Sequence, residues 1–187
     1  MNSRRPDPEA VRTGDLLPPL RVPITRTLIV AGAIASRDYQ DVHHDAEAAK
    51  EKGSPDIFMN ILTTNGLVGR YLTDYFGPDA VLRKVAIRLG APNYPGDEMV
   101  LTGEVTDVAG EAADGSGTAV TVAVRGRNGI GHHVTGAATV LVGDSGRRSR
   151  EDGDRRSRDG DSSRDSGPSR DGDSSRDGGP FRNGGAA

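Results

Sequence analysis

A long apolar stripe, followed by a change of hydrophobic period, constrains the fold of this chain more than any other feature. Between residues 57 and 76 apolar side chains recur mostly at steps of three and four, and Gly77-Pro78 ends the pattern. The stripe consists of Phe58, Ile61, Leu62, Val68, Leu72, Tyr75 and Phe76. Residues at these steps share one helix face, so the pattern predicts an amphipathic helix of about 30 Å. Gly66 and Gly69, on one side of this helix, predict close approach by another backbone.

After this helix the hydrophobic period becomes two. Alternating runs occupy residues 81–89, 99–108, 118–125 and 132–142, and residues with turn chemistry, such as those at 112–117, separate them. Period-two runs with short connections predict an antiparallel meander. A long amphipathic helix followed by such a sheet can bury the apolar faces of both when the sheet wraps around the helix. The sequence therefore predicts an α+β fold.

Shorter elements precede the long helix. Three prolines bracket an extended segment at residues 20–24, which we expect to be an edge strand because proline cannot donate a ladder hydrogen bond. Thr27 is the predicted cap of a helix over residues 28–35. Asp45 is the predicted cap of a second, short helix, which the turn residues at 53–55 end.

The C-terminal part of the chain, residues 144–187, differs in composition from the rest. It contains ten Arg against nine Asp and one Glu, and only three of its residues are apolar. A segment this polar cannot bury enough surface to form a core. We expect a disordered low-complexity Arg/Asp/Gly/Ser tail there, a disordered N-terminus over residues 1–14, and one domain over residues 15–143.

The charge and residue content exclude several classes of protein. The chain has 187 residues, a net charge of −3 and no cysteine, which excludes a disulfide-stapled or thiolate-metal protein. A slightly acidic chain argues against a nucleic-acid partner, because phosphate binding needs clustered Lys and Arg. The sequence contains no apolar run long enough to span a bilayer, and residues 1–14 lack the apolar run of a secretory signal. We therefore expect a cytoplasmic protein without a membrane partner.

One segment concentrates ionisable side chains between predicted elements, the loop over residues 35–45. In it, Asp38 precedes His43 by five residues. If the loop is bent, a carboxylate and an imidazole at this spacing converge on one small molecule. Such a pair can hold a water by two hydrogen bonds, so that one group withdraws its proton and the other later returns a proton to the substrate. The alternative is a capped surface turn, because Asp is common in such turns.

This chemistry also requires a group that stabilises developing negative charge. The first turn of the predicted long helix, residues 57–61, offers unpaired backbone N–H groups and the positive end of the helix dipole. An oxyanion bound there needs no charged side chain. Alternatively, the carboxylate of Asp56 caps these N–H groups, and the two arrangements can coexist.

The remaining histidines are weaker candidates for chemistry. His44 with Asp41 or Asp45 provides too few ligands for a metal site, so we expect no bound metal. His132 and His133 are adjacent on a predicted strand and must point to opposite faces, one exposed and one half buried.

Three segments resemble the MaoC-like enoyl-CoA hydratases, a family with the hotdog fold. They are ASRDYQDVHHD at residues 35–45, DIFMNILTTNGLV at 56–68 and VAIRLGAPNYPGD at 85–97. These segments look most like the small subunits of the heteromeric steroid side-chain enoyl-CoA hydratases of bacterial cholesterol degradation. The resemblance covers residues 20–142 and implies a hotdog domain, an antiparallel sheet wrapped around one long central helix.

The resemblance also implies an activity and the residues that carry it. Asp38 and His43 match the family's catalytic aspartate and histidine, which activate the water that adds to the β carbon of an α,β-unsaturated acyl-CoA. The thioester oxygen would then lie against backbone N–H groups near Met59 or Asn60. Coenzyme A is part of the substrate, and no separate cofactor is implied. The implied partner is a larger MaoC-like subunit fused to an OB-type domain.

Two other functions fit a hotdog chain. A hotdog thioesterase usually carries its working carboxylate on the long helix, where this chain has only Asp74, near the C-terminal end. A non-catalytic subunit would only complete a partner's site, but it would have no reason to keep both Asp38 and His43. The sequence therefore favours a catalytic hydratase subunit.

Overall fold

The computed structural model describes residues 10–111 and 117–143, which contain one antiparallel sheet and three α-helices. The elements in chain order are β1 (Leu16–Pro23), α1 (Arg26–Ala35), a 3₁₀ turn (Asp41–His43), α2 (Ala46–Glu51), α3 (Ile61–Phe76), β2 (Val81–Leu89), β3 (Glu98–Glu111), β4 (Thr118–Asn128) and β5 (Gly131–Val142). The predicted tail, most of the predicted N-terminus and most of the predicted turn at 112–117 lie outside the described residues.

The five strands pair in the order β1-β3-β4-β5-β2. The meander prediction is confirmed for β3, β4 and β5, which pair consecutively. It is wrong for β2, which pairs with β5 instead of β3. Residues 90–97 therefore cross from β2, at one edge of the sheet, to the other side of the sheet, where β3 pairs with the edge strand β1. Strand β1 is the predicted edge strand, although it begins four residues earlier than expected, with an irregular register at its prolines.

The sheet wraps around α3, as the sequence predicts. The helix touches both edges of the sheet, because Tyr71 Oη donates to Leu17 O on β1 at 3.4 Å and Leu82 on β2 lies against Gly69. Each ladder contains at least one register irregularity, a feature that strengthens the local twist of a sheet. The buried face of the helix is formed by Thr64, Leu67, Val68, Tyr71, Leu72 and Phe76.

Helix α3 begins later than its hydrophobic pattern predicts. The pattern begins at residue 57, but the helix spans Ile61–Phe76, so its length is about 24 Å. Residues 57–60 instead make hydrogen bonds to other loops: the Phe58 N–H donates to Val42 O and the Met59 N–H to Asn93 O, both at 3.1 Å. In this segment Ile57, Met59 and Asn60 are buried and Phe58 is half buried, all without helical backbone, which periodicity alone cannot reveal.

Helix α1 also differs from its prediction, and it carries the close glycine contact. Its N-cap is Thr25, whose hydroxyl accepts from the Leu28 N–H at 3.0 Å, rather than Thr27. A Cβ at Gly32 would lie 2.2 Å from Thr63 Oγ1 of α3. A Cβ at Gly66 would meet nothing within 4 Å, and one at Gly69 would meet the Leu82 side chain, so the expected close approach of another backbone is wrong. Gly32 is therefore the residue that lets α1 and α3 pack together.

The packed domain extends N-terminally beyond the predicted boundary at Asp15. Val11 is buried in the core, and the Gly14 N–H donates to Val105 O on β3 at 2.8 Å. Within residues 10–111 and 117–143, no helix combines the length and apolarity needed to cross a bilayer.

The two adjacent histidines of β5 point to opposite faces, as expected. His132 is exposed, whereas His133 is fully buried, at 1% exposure, instead of half buried. His133 Nδ1 donates to Ala91 O at 2.7 Å, which leaves Nε2 to accept from Thr64 Oγ1 of α3 at 2.9 Å. A neutral imidazole thus connects the sheet, the loop after β2 and the central helix.

We predict that His133 makes the stability of the chain fall as the pH is lowered. Burial lowers the pKa of His133 from its ordinary value of 6.5, so the unfolded chain takes up the proton more readily than the folded chain. The stabilisation is therefore complete above about pH 6.5 and is lost as the pH falls below that value. Chemical denaturation of the full chain between about pH 7.5 and 5.5 measures this loss.

His133→Gln removes the titrating group, so its free energy of unfolding should change less over this pH range than that of the wild type. His132→Gln, at the exposed neighbour, is the matched control and should keep the wild-type pH dependence. An identical pH dependence in His133→Gln and the wild type would contradict this account.

Candidate active site

The end of α1 places Asp38. The Asp38 N–H donates to Ala33 O at 2.9 Å and the Arg37 N–H donates to Ile34 O at 3.0 Å. These two bonds, with Ser36 as the C-cap, form a Schellman motif. The residue after the cap in this motif adopts left-handed backbone, and Arg37 does so, with φ of 57°. The motif turns the chain sharply, and the carboxylate of Asp38 lies immediately after the turn.

The 3₁₀ turn and the non-helical segment before α3 place His43. Its ring lies edge-on to the Phe58 ring, with centroids 5.1 Å apart, and its Nδ1 contacts Phe58 O at 2.7 Å. Since a carbonyl oxygen only accepts hydrogen bonds, Nδ1 carries a proton. In the neutral form of this ring, the lone pair is therefore on Nε2, on the other side of the ring.

The side chains of Asp38 and His43 meet, with 3.3 Å between Asp38 Oδ2 and His43 Nε2. The His43 side chain is 7% exposed and that of Asp38 is 18% exposed, so the pair lies at the edge of the core. Two acceptors that face each other need a hydrogen between them. A proton shared by the pair provides one, whereas a water beside the pair satisfies each acceptor separately by donating one hydrogen to Asp38 and one to His43. The expected convergence across the loop is thus present in the structure.

The Asn60 side chain supports Asp38 from the start of α3. Its Oδ1 accepts from the Thr63 N–H at 2.9 Å, which makes Asn60 the N-cap of the helix. Its Nδ2 donates to Asp38 Oδ2 at 3.0 Å and to Ser36 Oγ at 2.9 Å. Sequence reasoning placed Asn60 near the site only for its backbone, and it did not single out Ser36. The available signal was an Asn directly before a helix, which is a preferred cap residue.

The backbone N–H groups at the start of α3 differ in availability. The Met59 N–H already donates to Asn93 O, so Met59 is removed from the candidate oxyanion donors. The N–H groups of Asn60, Ile61 and Leu62 have no acceptor within the described residues. The first of these residues, Asn60, also touches Asp38 through its side chain, at 3.0 Å from Nδ2 to Oδ2. The first turn of α3 thus offers free donors and the positive end of its dipole beside the pair.

Asp56 is not the cap of α3. Its carboxylate pairs with Arg26 at the start of α1 and accepts from the Ile57 N–H at 2.8 Å. Its hydrogen bonds with Arg26 and with the Ile57 backbone lower the pKa of Asp56. This ion pair joins the start of α1 to the segment that precedes α3.

The other ionisable side chains near the loop have separate partners. Asp41 forms an ion pair with Lys52, and this contact lowers the pKa of Asp41. Asp45 caps α2. His44 Nε2 contacts Tyr39 O at 3.2 Å. Across residues 10–111 and 117–143, no three His, Asp or Glu side chains are grouped as metal ligands would be. Asp74, the carboxylate considered for a thioesterase, is exposed in the last turns of α3 and pairs with Arg70.

A family model and a curated relative both match most of this chain and indicate the same family. The model of the MaoC like domain family matches residues 12–126. The 3-oxo-4,17-pregnadiene-20-carboxyl-CoA hydratase beta subunit of Mycobacterium tuberculosis is 47% identical over 132 residues, which cover 71% of this chain and 97% of that protein.

Solved structures agree with this match. A chain of the ChsH1-ChsH2 complex from Mycobacterium tuberculosis superposes with a TM-score of 0.65 at 44% identity, covering 70% of this chain and 98% of that one. The (R)-hydratase of A. caviae involved in PHA biosynthesis superposes with a TM-score of 0.64 at 20% identity, covering 72% and 98% of the two chains. The second likeness shows the hotdog fold alone.

We predict that Arg37→Gly stabilises the chain. Arg37 is exposed, and its side chain makes no hydrogen bond or ion pair within the described part of the chain, so the substitution removes no contact. Relief of left-handed strain, roughly 1–2 kcal/mol, exceeds the extra entropy of glycine in the unfolded chain, roughly 0.5–1 kcal/mol. The free energy of unfolding from chemical denaturation should rise by about 1 kcal/mol or less.

Arg37→Ala is the matched control, because it removes the same charge and side chain but keeps a Cβ at a positive φ. It should therefore show no comparable gain. If Arg37→Gly proves less stable than Arg37→Ala, the left-handed backbone is not the source of strain at this position.

Proposed function

We propose, since this chain belongs to the MaoC-like domain family, that it is an enoyl-CoA hydratase that adds water across the conjugated double bond of an acyl-CoA thioester. The observation that carries the proposal is the contact of Asp38 with His43 beside the free N–H groups of α3. Hydration needs a held water, a base for its proton and a donor for the developing enolate oxygen. These groups lie together at one end of the central helix.

In the proposed reaction, Asp38 and His43 hold the attacking water. One hydrogen of the water points to the Asp38 carboxylate and the other to His43 Nε2. This nitrogen can accept the hydrogen bond because the proton of the ring is on Nδ1, which donates to Phe58 O. This geometry directs a lone pair of the water oxygen towards the β carbon of the substrate. As the C–O bond forms, Asp38 takes the water proton, and the pair then returns a proton to the α carbon.

The start of α3 serves the other end of the conjugated system. Attack at the β carbon moves electrons onto the thioester oxygen, which becomes an enolate oxygen. In the proposal, the Asn60 N–H and the next N–H groups of α3 donate to that oxygen, with the helix dipole adding a favourable field. No cationic side chain is required. When the α carbon is protonated, the carbonyl re-forms and the hydrated thioester leaves.

For the substrate, we propose a steroid side-chain CoA thioester. The support is the 47% identity to a subunit whose name specifies a pregnadiene carboxyl-CoA. A hotdog domain fills its interior with its own helix, here α3, so a polycyclic acyl group needs space at a subunit interface. We therefore also propose a heteromer with a larger MaoC-like subunit fused to an OB-type domain, in line with the likeness to a chain of a two-protein complex.

We predict that Asp38→Asn lowers the rate of hydration by about 10²- to 10⁴-fold, because the variant lacks the base that takes the water proton. The assay uses the chain co-expressed and purified with its larger subunit. It follows the absorbance of the conjugated thioester and the release of free thiol from the same steroid side-chain enoyl-CoA. Loss of absorbance without thiol release identifies hydration.

Asp41→Asn is the matched control, because Asp41 lies in the same loop but is exposed and paired with Lys52. It should keep wild-type activity. Thiol release by the wild type would indicate a thioesterase instead. Equal hydration by the wild type and Asp38→Asn would show that this chain does not supply the base.

A further inference from the structure

The Asn60 side chain makes more contacts than a helix cap needs. Capping uses the side-chain oxygen alone, and Asn60 Oδ1 performs it by accepting from the Thr63 N–H. The amide nitrogen is not required for this purpose, yet both of its hydrogens have acceptors, Asp38 Oδ2 and Ser36 Oγ. Asn60 is 3% exposed, so neither bond is exchanged freely with bulk water.

The contacts fix the orientation of this amide. The group that faces the Thr63 N–H must be the oxygen, because a backbone N–H only donates. The group that faces Asp38 is then the nitrogen, which suits an ionised carboxylate. Ser36 agrees, since its hydroxyl lies 2.7 Å from Gly32 O and donates there, leaving its oxygen to accept from Asn60. Each neighbour therefore selects the same orientation.

From these contacts we propose that Asn60 is a positioning residue, which holds the Asp38 carboxylate in the orientation that activates water. Its Nδ2–H binds the same oxygen, Oδ2, that lies against His43 Nε2. The inference rests on the proposed hydration by Asp38 and His43. In this inference the Asn60 side chain has two roles, since its oxygen caps the central helix and its nitrogen orients the base.

The chemistry of the donor suits this task. A neutral amide stabilises the ionised carboxylate by a hydrogen bond without neutralising it as an ammonium or guanidinium would. The other titratable side chain in contact with Asp38, among the residues described, is His43, and Ser36 and Asn60 carry no charge. Asn60 therefore orients the base through a hydrogen bond, while His43 keeps its lone pair for the water.

Two substitutions separate positioning from capping. Asn60→Asp keeps the shape and the capping oxygen but replaces the N–H donor with a second carboxylate beside Asp38. Asn60→Ser keeps a good cap residue but is too short to reach Asp38. Both variants should retain helix α3, and the thermal transition of the purified complex checks this.

The measurement is the pH profile of hydration by the complex with a steroid side-chain enoyl-CoA. Both variants should lower kcat by about 10- to 100-fold with little change in KM, because the base is misplaced while substrate binding is kept. In Asn60→Asp the acid limb of the profile should also move up by about one pH unit or more, because a neighbouring carboxylate disfavours ionisation of Asp38. Asn65→Asp, which adds the same charge further along α3, is the control and should leave the profile unchanged.

The outcomes distinguish this inference from the proposed function. One result would overturn the positioning role alone. In it, the wild-type complex hydrates the substrate, the Asp38→Asn complex does not, and both Asn60 variants keep the wild-type kcat and the wild-type acid limb. Loss of kcat in both variants, with the acid limb displaced in Asn60→Asp only, supports it. If Asn60→Asp does not fold, normal kcat in Asn60→Ser overturns the inference and reduced kcat at unchanged KM supports it. Hydration that is insensitive to Asp38→Asn would instead reject the proposed function.

Discussion

The late start of the central helix is the constraint on which the site depends. Residues 57–60 are not helical, and each of the last three makes a different connection. Phe58 O accepts from His43 Nδ1, the Met59 N–H donates to Asn93 O, and the Asn60 side chain reaches Asp38. A helix that began at residue 57 would bond Phe58 O to the Leu62 N–H, which would take the acceptor from His43 Nδ1 and a free N–H donor from the site. These four non-helical residues therefore fix the tautomer of the imidazole and support the carboxylate, and the helix that follows them begins with free N–H groups.

The rest of the fold holds this segment in place. Gly32 lets α1 approach α3 at Thr63, next to the cap, so that the Schellman motif at the end of α1 delivers Asp38 to the same place. One turn further along α3, Thr64 binds the buried imidazole of His133. A neutral hydrogen-bonded histidine in the core is costly to protonate, and it fixes the helix relative to the sheet. The site thus lies where two helices and the sheet are held by specific polar contacts.

Local patterns in the sequence predicted the elements, and non-local contacts account for the differences. The strand at residues 81–89 has the predicted bounds, because its alternation is a property of the segment itself. Its partner was predicted wrongly, since pairing with β5 depends on a crossover that no local pattern encodes. Spacing within one loop predicted that Asp38 and His43 would meet, whereas the Asn60 amide lies 22 residues from Asp38 in the sequence and was missed. The sequence thus predicted the contact between two residues of one loop, but not the long-range hydrogen bond that orients the carboxylate.

The direction of the His43 ring is the feature that tests this account most directly. Nitrogen-15 NMR of the full chain, labelled in its histidines and held above the pH at which imidazoles are protonated, distinguishes the two ring nitrogens of His43. A His43→Gln variant identifies its signals. The account predicts that Nδ1 carries the proton of the neutral ring and that Nε2 carries none. A neutral His43 ring with its proton on Nε2 would contradict it, because that nitrogen could not accept a hydrogen bond from the attacking water.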